Sequence, residues 1–184
     1  MTRPSLESLG LPAVWETERL RLRPWREEDA AELFRWARDP EIGPAAGWLP
    51  HRDEADSLDV LRNILMKENT WAVTLRGSDA PLGSLSVFST DFSRGNGEPE
   101  IGYWLARPFW GRGLIPEAVR ALTARCFSGG AARVWCAHFP ENAKSRRVIE
   151  KCGFRYQATE SFTGSDGVTH PSLYYLIDRE DWKA

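Results

Sequence analysis

Leucine alternates with arginine from Arg19 to Arg23, which puts Leu20 and Leu22 on one face and predicts a strand. Pro24 ends it, having no amide hydrogen to give a ladder. From Arg26 to Arg38 the period lengthens: Ala30, Leu33, Phe34 and Ala37 fall on one side of a helix. A loop rich in proline and glycine runs from Pro40 to Pro50, and a second helix is predicted from about Glu54 to Met66. Trp71 to Leu75 and Leu82 to Phe88 read as a hairpin turned at Gly77 to Pro81. In the strand from Glu98 to Leu105, residues Ile101, Tyr103 and Leu105 share one face, while Glu98, Glu100, Gly102 and Trp104 share the other. A third helix follows with Ile115, Ala118, Val119, Leu122 and Cys126 at helical spacing, and Gly129-Gly130 stops it. Arg133 to Phe139 is a strand, Asn142 to Cys152 a helix, and Phe154 to Thr159 and Ser172 to Ile177 are closing strands. Residues 1–17, with Pro4, Gly10 and Pro12, show little periodicity and read as an extension before a domain spanning 18–184.

Composition narrows the class. A chain of 184 residues with 42% hydrophobic positions and nine tryptophans suits one domain with a full core. Its formal net charge of −2, with both signs mixed along the chain, argues against nucleic acid as a main partner. No apolar run reaches the length of about 18 residues that a membrane span requires, and the first ten residues lack a signal-type apolar core. Three cysteines make no disulfide framework, so a cytoplasmic location is expected.

The turn before the third helix carries the candidate chemistry. Gly111 and Gly113 flank Arg112 immediately before the helix start, so backbone N–H groups can point outward with no Cβ in the way. The positive end of the helix dipole reinforces the spot, which makes it a candidate phosphate cradle. Leu114-Ile115 stand where a Walker A loop needs lysine and a hydroxyl residue, which excludes that motif. Pro116 stands where a dinucleotide fingerprint needs its third glycine. The pyrophosphate of coenzyme A is the third candidate. Taken alone, Gly-Arg-Gly reads equally well as a plain tight turn.

Several motifs stand in a characteristic order: EIGYWL at 100–105, WGRGLIPEA at 110–118, NAKS at 142–145 and EKCGF at 150–154. With ETERLRLRPW at 16–25 and REDW at 179–182, the chain resembles the GNAT superfamily of acyl-CoA-dependent N-acyltransferases, and within it the RimJ/RimL type that acetylates ribosomal-protein N-termini. The resemblance implies a mixed α/β (α+β) domain of order β-α-α-β-β-β-α-β-α-β-β. Its sheet would be mainly antiparallel and split between the strand ending near Leu105 and the one ending near Phe139. It implies acetyl transfer from acetyl-CoA to a primary amine, either a protein N-terminus or a small molecule, with no metal. The cofactor would lie along Tyr103, Trp104 and Leu105, over Gly111, Arg112, Gly113, Leu114 and Ile115, and against Asn142, Ser145 and Arg146. The sequence departs from the family's Gln/Arg-x-x-Gly-x-Gly/Ala loop, with Trp110 at its first position and Ile115 at its last. Pro116 suits the first helical position but removes one donor from the cradle.

An amine is protonated near neutral pH and must lose a proton before it attacks a thioester. Glu100 matches the family's acidic strand residue and is the candidate base, with Glu98 in reserve; the alternative for both is a solvated edge carboxylate. Asn142 reads as a helix N-cap, a role worth about 1 kcal/mol, and the resemblance adds contact with the pantetheine arm. Ser145 matches the family serine near the thioester sulfur and is the candidate proton donor to the leaving thiolate. Arg146 and Arg147 either reach a phosphate or form a solvated helix face. His138 reads as a packed histidine or a second proton shuttle. The spacing of Cys136, His138 and Cys152 matches no structural zinc site. Direct transfer is expected, because no cysteine has a basic partner at motif spacing. A non-catalytic acyl-CoA binder or sensor is the alternative of a different class; it would keep the glycine turn and Asn142 but need no base. Acceptor choice is assigned to the loops Pro40–Pro50 and Ser161–Pro171, and the sequence leaves both monomer and homodimer open.

Overall fold

The computed structural model describes residues 6–89 and 98–183. Residues 1–5 of the predicted extension and residue 184 lie outside them.

Strands β1 (Trp15–Glu16), β2 (Leu20–Arg23), β3 (Thr70–Leu75), β4 (Gly83–Ser89), β5 (Pro99–Leu105), β6 (Arg133–His138), β7 (Arg155–Thr163) and β8 (Thr169–Asp178) form one sheet. Its order is β1-β2-β3-β4-β5-β6-β8-β7, antiparallel at every junction except β5–β6. The mainly antiparallel α/β architecture expected from the sequence is present.

Alternation along each strand supplies both faces with apolar groups, so each is covered. Leu20, Leu22, Trp71, Val73, Leu85, Val87 and Ile101 pack with Ile115, Val119 and Leu122 of helix α3 (Leu114–Ser128) and Ile149 of helix α4 (Ala143–Lys151). The neighbouring Ala72 faces the opposite way, toward Trp25 after β2, Leu33 and Ala37 of helix α1 (Ala30–Ala37), and Leu61 beyond helix α2 (Glu54–Val60). Helices therefore cover the sheet from both sides, as the short apolar runs of its strands require.

Three predicted boundaries move. The stretch read as an extension contributes β1 and a 3-10 turn, Leu6–Leu9, with Leu9 and Trp15 buried in the larger core. Two residues of strand leave no alternation to read, which is why β1 is silent in the sequence. The second helix gives way to a π-turn at Leu61–Leu65. β7 and β8 extend well into the predicted 161–171 loop, through positions that are mostly exposed and so carry no hydrophobic alternation.

One buried ion pair fixes the start of the α1 layer. Arg23, at the end of β2, donates to both carboxylate oxygens of Asp29 at 2.8 and 2.7 Å. The same guanidinium donates to the Asp79 carboxylate at 2.9 Å and to its carbonyl at 2.6 Å, in the β3–β4 turn. Asp29 in turn accepts from the Arg26 amide at 3.0 Å. Strand end, helix start and hairpin turn thus converge on one satisfied charge cluster.

Asp29→Ala leaves that guanidinium buried without its two-toothed partner. It is expected to lower the unfolding free energy by about 3–5 kcal/mol, whereas Arg35→Ala at an exposed pair should stay within about 0.5 kcal/mol. Urea unfolding followed by tryptophan fluorescence measures both.

Candidate active site

β5 and β6 are in register only at Glu100–Trp135 and Ile101–Cys136, whereas β4 and β5 pair at seven positions. The thiol of Cys136 donates to the Ile101 carbonyl at 3.2 Å, so Ile101 turns its backbone groups toward β6. Two residues on, Tyr103 turns its own the same way, where β6 no longer pairs. This opening is the expected split.

Side chains reach the opening from both faces of the sheet. Glu100 is buried on the α1/α2 side, beside Trp104, which stacks on Trp25 at 6.3 Å and meets Trp48 edge-on at 6.1 Å. Trp104, expected against the cofactor, thus has its ring in the wall of the α1/α2 side. Leu105 is in the main core, and its carbonyl accepts from the Trp110 indole at 2.7 Å. Glu98 is not a solvated edge residue: it is buried and accepts a hydrogen bond from the Trp135 indole at 2.7 Å.

On the α3/α4 side, the Tyr103 hydroxyl shares a 2.8 Å hydrogen bond with the Ser145 hydroxyl. Burial pushes the Tyr103 phenol well above its ordinary range, so it keeps its proton. Asn142 caps α4: its side-chain oxygen accepts from the Ser145 amide at 3.0 Å. Its amide nitrogen donates to the Ala45 carbonyl at 3.0 Å, tying the cap to the predicted 40–50 loop. Arg146 lies on the exposed face of α4, paired with Glu150 at 2.8 Å.

Around the glycine turn, Gly111 and Gly113 both sit at φ 75°, a conformation that glycine enters without strain. A Cβ on Gly111 would meet nothing within 4 Å, so the turn presents open backbone. The amides of Leu114 and Ile115 begin α3 and have no intrahelical partner. The Arg112 guanidinium lies 5.3 Å from the Phe109 ring, and Lys144 lies 4.1 Å from the Trp110 ring.

The turn is braced by residues that sequence reasoning missed. Arg19 donates to the Arg112 carbonyl at 2.8 Å and to the Glu117 carboxylate at 2.6 Å, and Thr17 donates to the other Glu117 oxygen at 2.5 Å. Burial alone would raise the Glu117 carboxyl; the bonds from Thr17 and Arg19 outweigh it and hold the group below its usual range. These partners lie 93 to 100 residues apart, and no local pattern announces them.

A pocket of about 770 Å³ runs through the opening. Glu100, Tyr103, Asn142 and Ser145 line it together, so residues far apart in sequence meet in one cavity. Both loops assigned to the acceptor contribute, and they touch: the Gly47 carbonyl accepts from the Asp166 amide at 3.3 Å and the Ser165 hydroxyl at 3.4 Å. Helix α2, the π-turn after it and strand β4 add Asp56, Ile64 and Phe88, which were not anticipated. Phe88 did leave a signal, since it stands on the Ser84–Ser86 face of β4, where alternation calls for a polar residue.

His138 also lines the pocket and is fully engaged. Its Nδ1 donates to the Phe139 carbonyl at 2.7 Å, and its Nε2 shares a 3.3 Å hydrogen bond with the Tyr175 hydroxyl. All three cysteines are buried thiols. Burial raises Cys126 to about 12 and Cys152 to about 11, and Cys136 well above its ordinary range.

A split sheet, a glycine turn on a helix N-terminus and an acidic residue at the split together define a class, and comparison with known proteins agrees. Residues 19–155 match the family model described as an acetyltransferase (GNAT) domain, and the chain belongs to that family. It is an N-acetyltransferase that uses acetyl-CoA. The uncharacterized N-acetyltransferase p20 of Bacillus licheniformis is 31% identical over 145 residues, covering 76% of this chain and 80% of that protein. YdaF of Bacillus subtilis (strain 168), named for a proposed ribosomal N-acetyltransferase activity, is 29% identical over 74% of this chain and 79% of its own length. Among solved structures, Mycobacterium smegmatis RimJ in complex with CoA-disulfide superposes with a TM-score of 0.72 at 23% identity, covering 93% of this chain and 89% of that one, which speaks for the fold.

Thiols held this high stay protonated at neutral pH and are poor nucleophiles. Folded protein at pH 7.5 is expected to show no fast-reacting thiol toward a chromogenic disulfide reagent, and three after unfolding in urea; a fast-reacting thiol in the folded state would contradict the assignment.

Proposed function

We propose that the chain transfers acetyl directly from acetyl-CoA to a primary amine, with Glu100 accepting the amine's proton. One observation carries the reading: a single pocket is lined by a buried carboxylate from one face of the sheet and by a hydrogen-bonded tyrosine–serine pair from the other. The two proton tasks of the reaction run in opposite directions. The amine must lose a proton, and the departing thiolate gains one.

Acetyl-CoA supplies an activated thioester, and the residues of the turn suit its pyrophosphate. Gly111 leaves the backbone open, Gly113 takes the left-handed turn without strain, and the first amides of α3 lack intrahelical partners with the helix dipole behind them. Arg19 and Glu117 hold that turn in place. Asn142 and Ser145 would flank the pantetheine arm. The Tyr103 amide, turned toward the opening, is the donor proposed for charge building on the carbonyl oxygen. Ser145, backed by a tyrosine hydroxyl that keeps its proton, is the donor proposed at the sulfur. Glu100 takes the ammonium proton, directly or through one water. With no reactive thiol among the three cysteines, no covalent acyl-enzyme is required.

Glu100→Gln keeps the shape and removes the base. It is expected to lower kcat by about 10²–10⁴, most at low pH where amine deprotonation limits, while the acetyl-CoA Kd stays unchanged. Steady-state assays across pH with calorimetry on the same protein check both, and a wild-type rate in the variant would remove Glu100 from the mechanism.

Gly113→Val must place a β-branched residue at φ 75°, over the turn. It is expected to raise the acetyl-CoA Kd at least about tenfold. Unchanged affinity in a variant with a native circular-dichroism spectrum would move the pyrophosphate elsewhere.

A further inference from the structure

His51, directly after the 40–50 loop, lines the pocket and has no part in the proton transfers proposed above. Neighbours from α1, the loop and α2 hold it in place. Its backbone amide donates to the Ala37 carbonyl at 3.1 Å, and its ring lies 5.4 Å from that of Trp48. Its Nδ1 stands 2.8 Å from the Ser57 hydroxyl of α2, and both residues are buried, Ser57 completely. The other ring nitrogen, Nε2, makes no hydrogen bond to a described residue. Among the described residues, the Trp15 indole is the one buried side-chain nitrogen or oxygen left without a partner. Nε2 is therefore open to accessible space, and the space that His51 borders is the pocket.

The Ser57 hydroxyl decides which nitrogen carries the proton. Its one hydrogen-bond partner among the described residues is His51 Nδ1. A proton on Nδ1 would donate to the hydroxyl oxygen and leave the buried O–H hydrogen with no acceptor, which is unfavourable. A lone pair on Nδ1 takes that hydrogen instead, and the imidazole proton then sits on Nε2. Burial also keeps the ring below its ordinary pKa range, against the opposing pull of the Asp56 carboxylate. The ring is thus neutral near pH 7 and presents an N–H to the pocket.

We propose that His51 positions the acceptor by donating from Nε2 to an uncharged carbonyl oxygen that the acceptor carries besides its amine. This rests on the reading of the pocket as the place of acetyl transfer, and it adds a binding residue and a required substrate group. A carbonyl oxygen only accepts and this N–H only donates, so the two are complementary. An ammonium at the same point would set donor against donor. A carboxylate would find no free cation, because His51 is neutral and Arg52, the arginine of the described lining, is committed to Asp56 at 3.3 and 3.4 Å. Ser57 acts through His51, by fixing its tautomer.

Nitrogen-15 NMR of protein with labelled histidine, His51 being assigned from the His51→Phe spectrum, is expected to show the proton on Nε2 at pH 7.5. Ser57→Ala should let Nδ1 take a share of it. A wild-type proton on Nδ1 would overturn the proposal. Kinetics then compare kcat/KM for alaninamide, trialanine amide and 3-methylbutan-2-amine, a hydrocarbon analogue of alaninamide, at saturating acetyl-CoA. His51→Phe is expected to shrink the ratio of a carbonyl-bearing amine to the hydrocarbon amine by at least about tenfold, the scale of one hydrogen bond. Each amine's own basicity is the same with either protein and cancels from that comparison. His51→Gln, whose amide N–H can stand in for Nε2–H, should restore part of the ratio, with the acetyl-CoA Kd unchanged in both variants. A fall with alaninamide assigns the contact to the first carbonyl and a small amide acceptor. A fall confined to trialanine amide assigns it to a later carbonyl and a peptide. A ratio that survives His51→Phe, in protein with a native circular-dichroism spectrum, would overturn the role of His51 and leave the transfer reaction standing. Turnover of the hydrocarbon amine without either amide would do the same to the carbonyl requirement. Turnover of none of the three would count against the transfer reaction, and this inference would fall with it.

Discussion

β5 and β6 meet at two residue pairs and then part, and the rest of the site follows from that separation. A closed sheet would keep its two faces apart, with Glu100 on one and Tyr103 on the other. Parting the strands lets side chains of both faces line one cavity. It also leaves backbone groups of Tyr103 without a strand partner on that side, and such groups require another partner when covered. The separation is anchored where it begins. Trp135 holds Glu98 across the junction, and the Cys136 thiol holds the Ile101 carbonyl. Just beyond them stands Gly102, where a Cβ would come within 3.0 Å of the Phe88 ring and narrow the cavity floor.

The position of Glu98 shows why alternation alone does not reveal an environment. A period of two correctly puts Glu98 and Glu100 on the face opposite Ile101, and nothing more. What covers that face is Trp135, from a strand that enters the sheet more than thirty residues later. The same limit applies to Tyr103. Its neighbours in sequence assign it to the core side, yet its functional interest comes from the Ser145 hydroxyl, brought over by α4. Strand faces and helix stripes such as Leu20 and Leu22, or Ala118, Val119 and Leu122, were legible because burial there is dictated locally. Pairings across the fold were not.

Bracing shows a related division. Gly111 and Gly113 are legible because a left-handed turn needs glycine, and the helix that follows has its own periodicity. The parts that hold the turn still, Thr17, Arg19 and Glu117, look like ordinary surface residues of a strand and a helix. A backbone cradle without such support would sample many shapes, and ordering it on binding would weaken affinity. Arg19 does two things at once: it neutralises Glu117 and grips the Arg112 carbonyl, so the amides beyond it keep one direction.

These contrasts explain why the family was readable and the acceptor was not. The turn proposed for the cofactor is made largely of backbone, and backbone geometry imposes glycines and a helix start at fixed spacing, which survive as contiguous motifs. The rest of the pocket wall is made of side chains from a loop, α2, β4, β5 and the β7–β8 hairpin, which lie far apart in sequence. No spacing constraint links Trp48 to Phe88 or Phe162, so no motif can encode them together. Only the fold brings them around one opening. Rim side chains in such a design can be replaced one at a time, because none of Trp48, Phe88 and Phe162 braces the glycine turn, which Thr17, Arg19 and Glu117 hold.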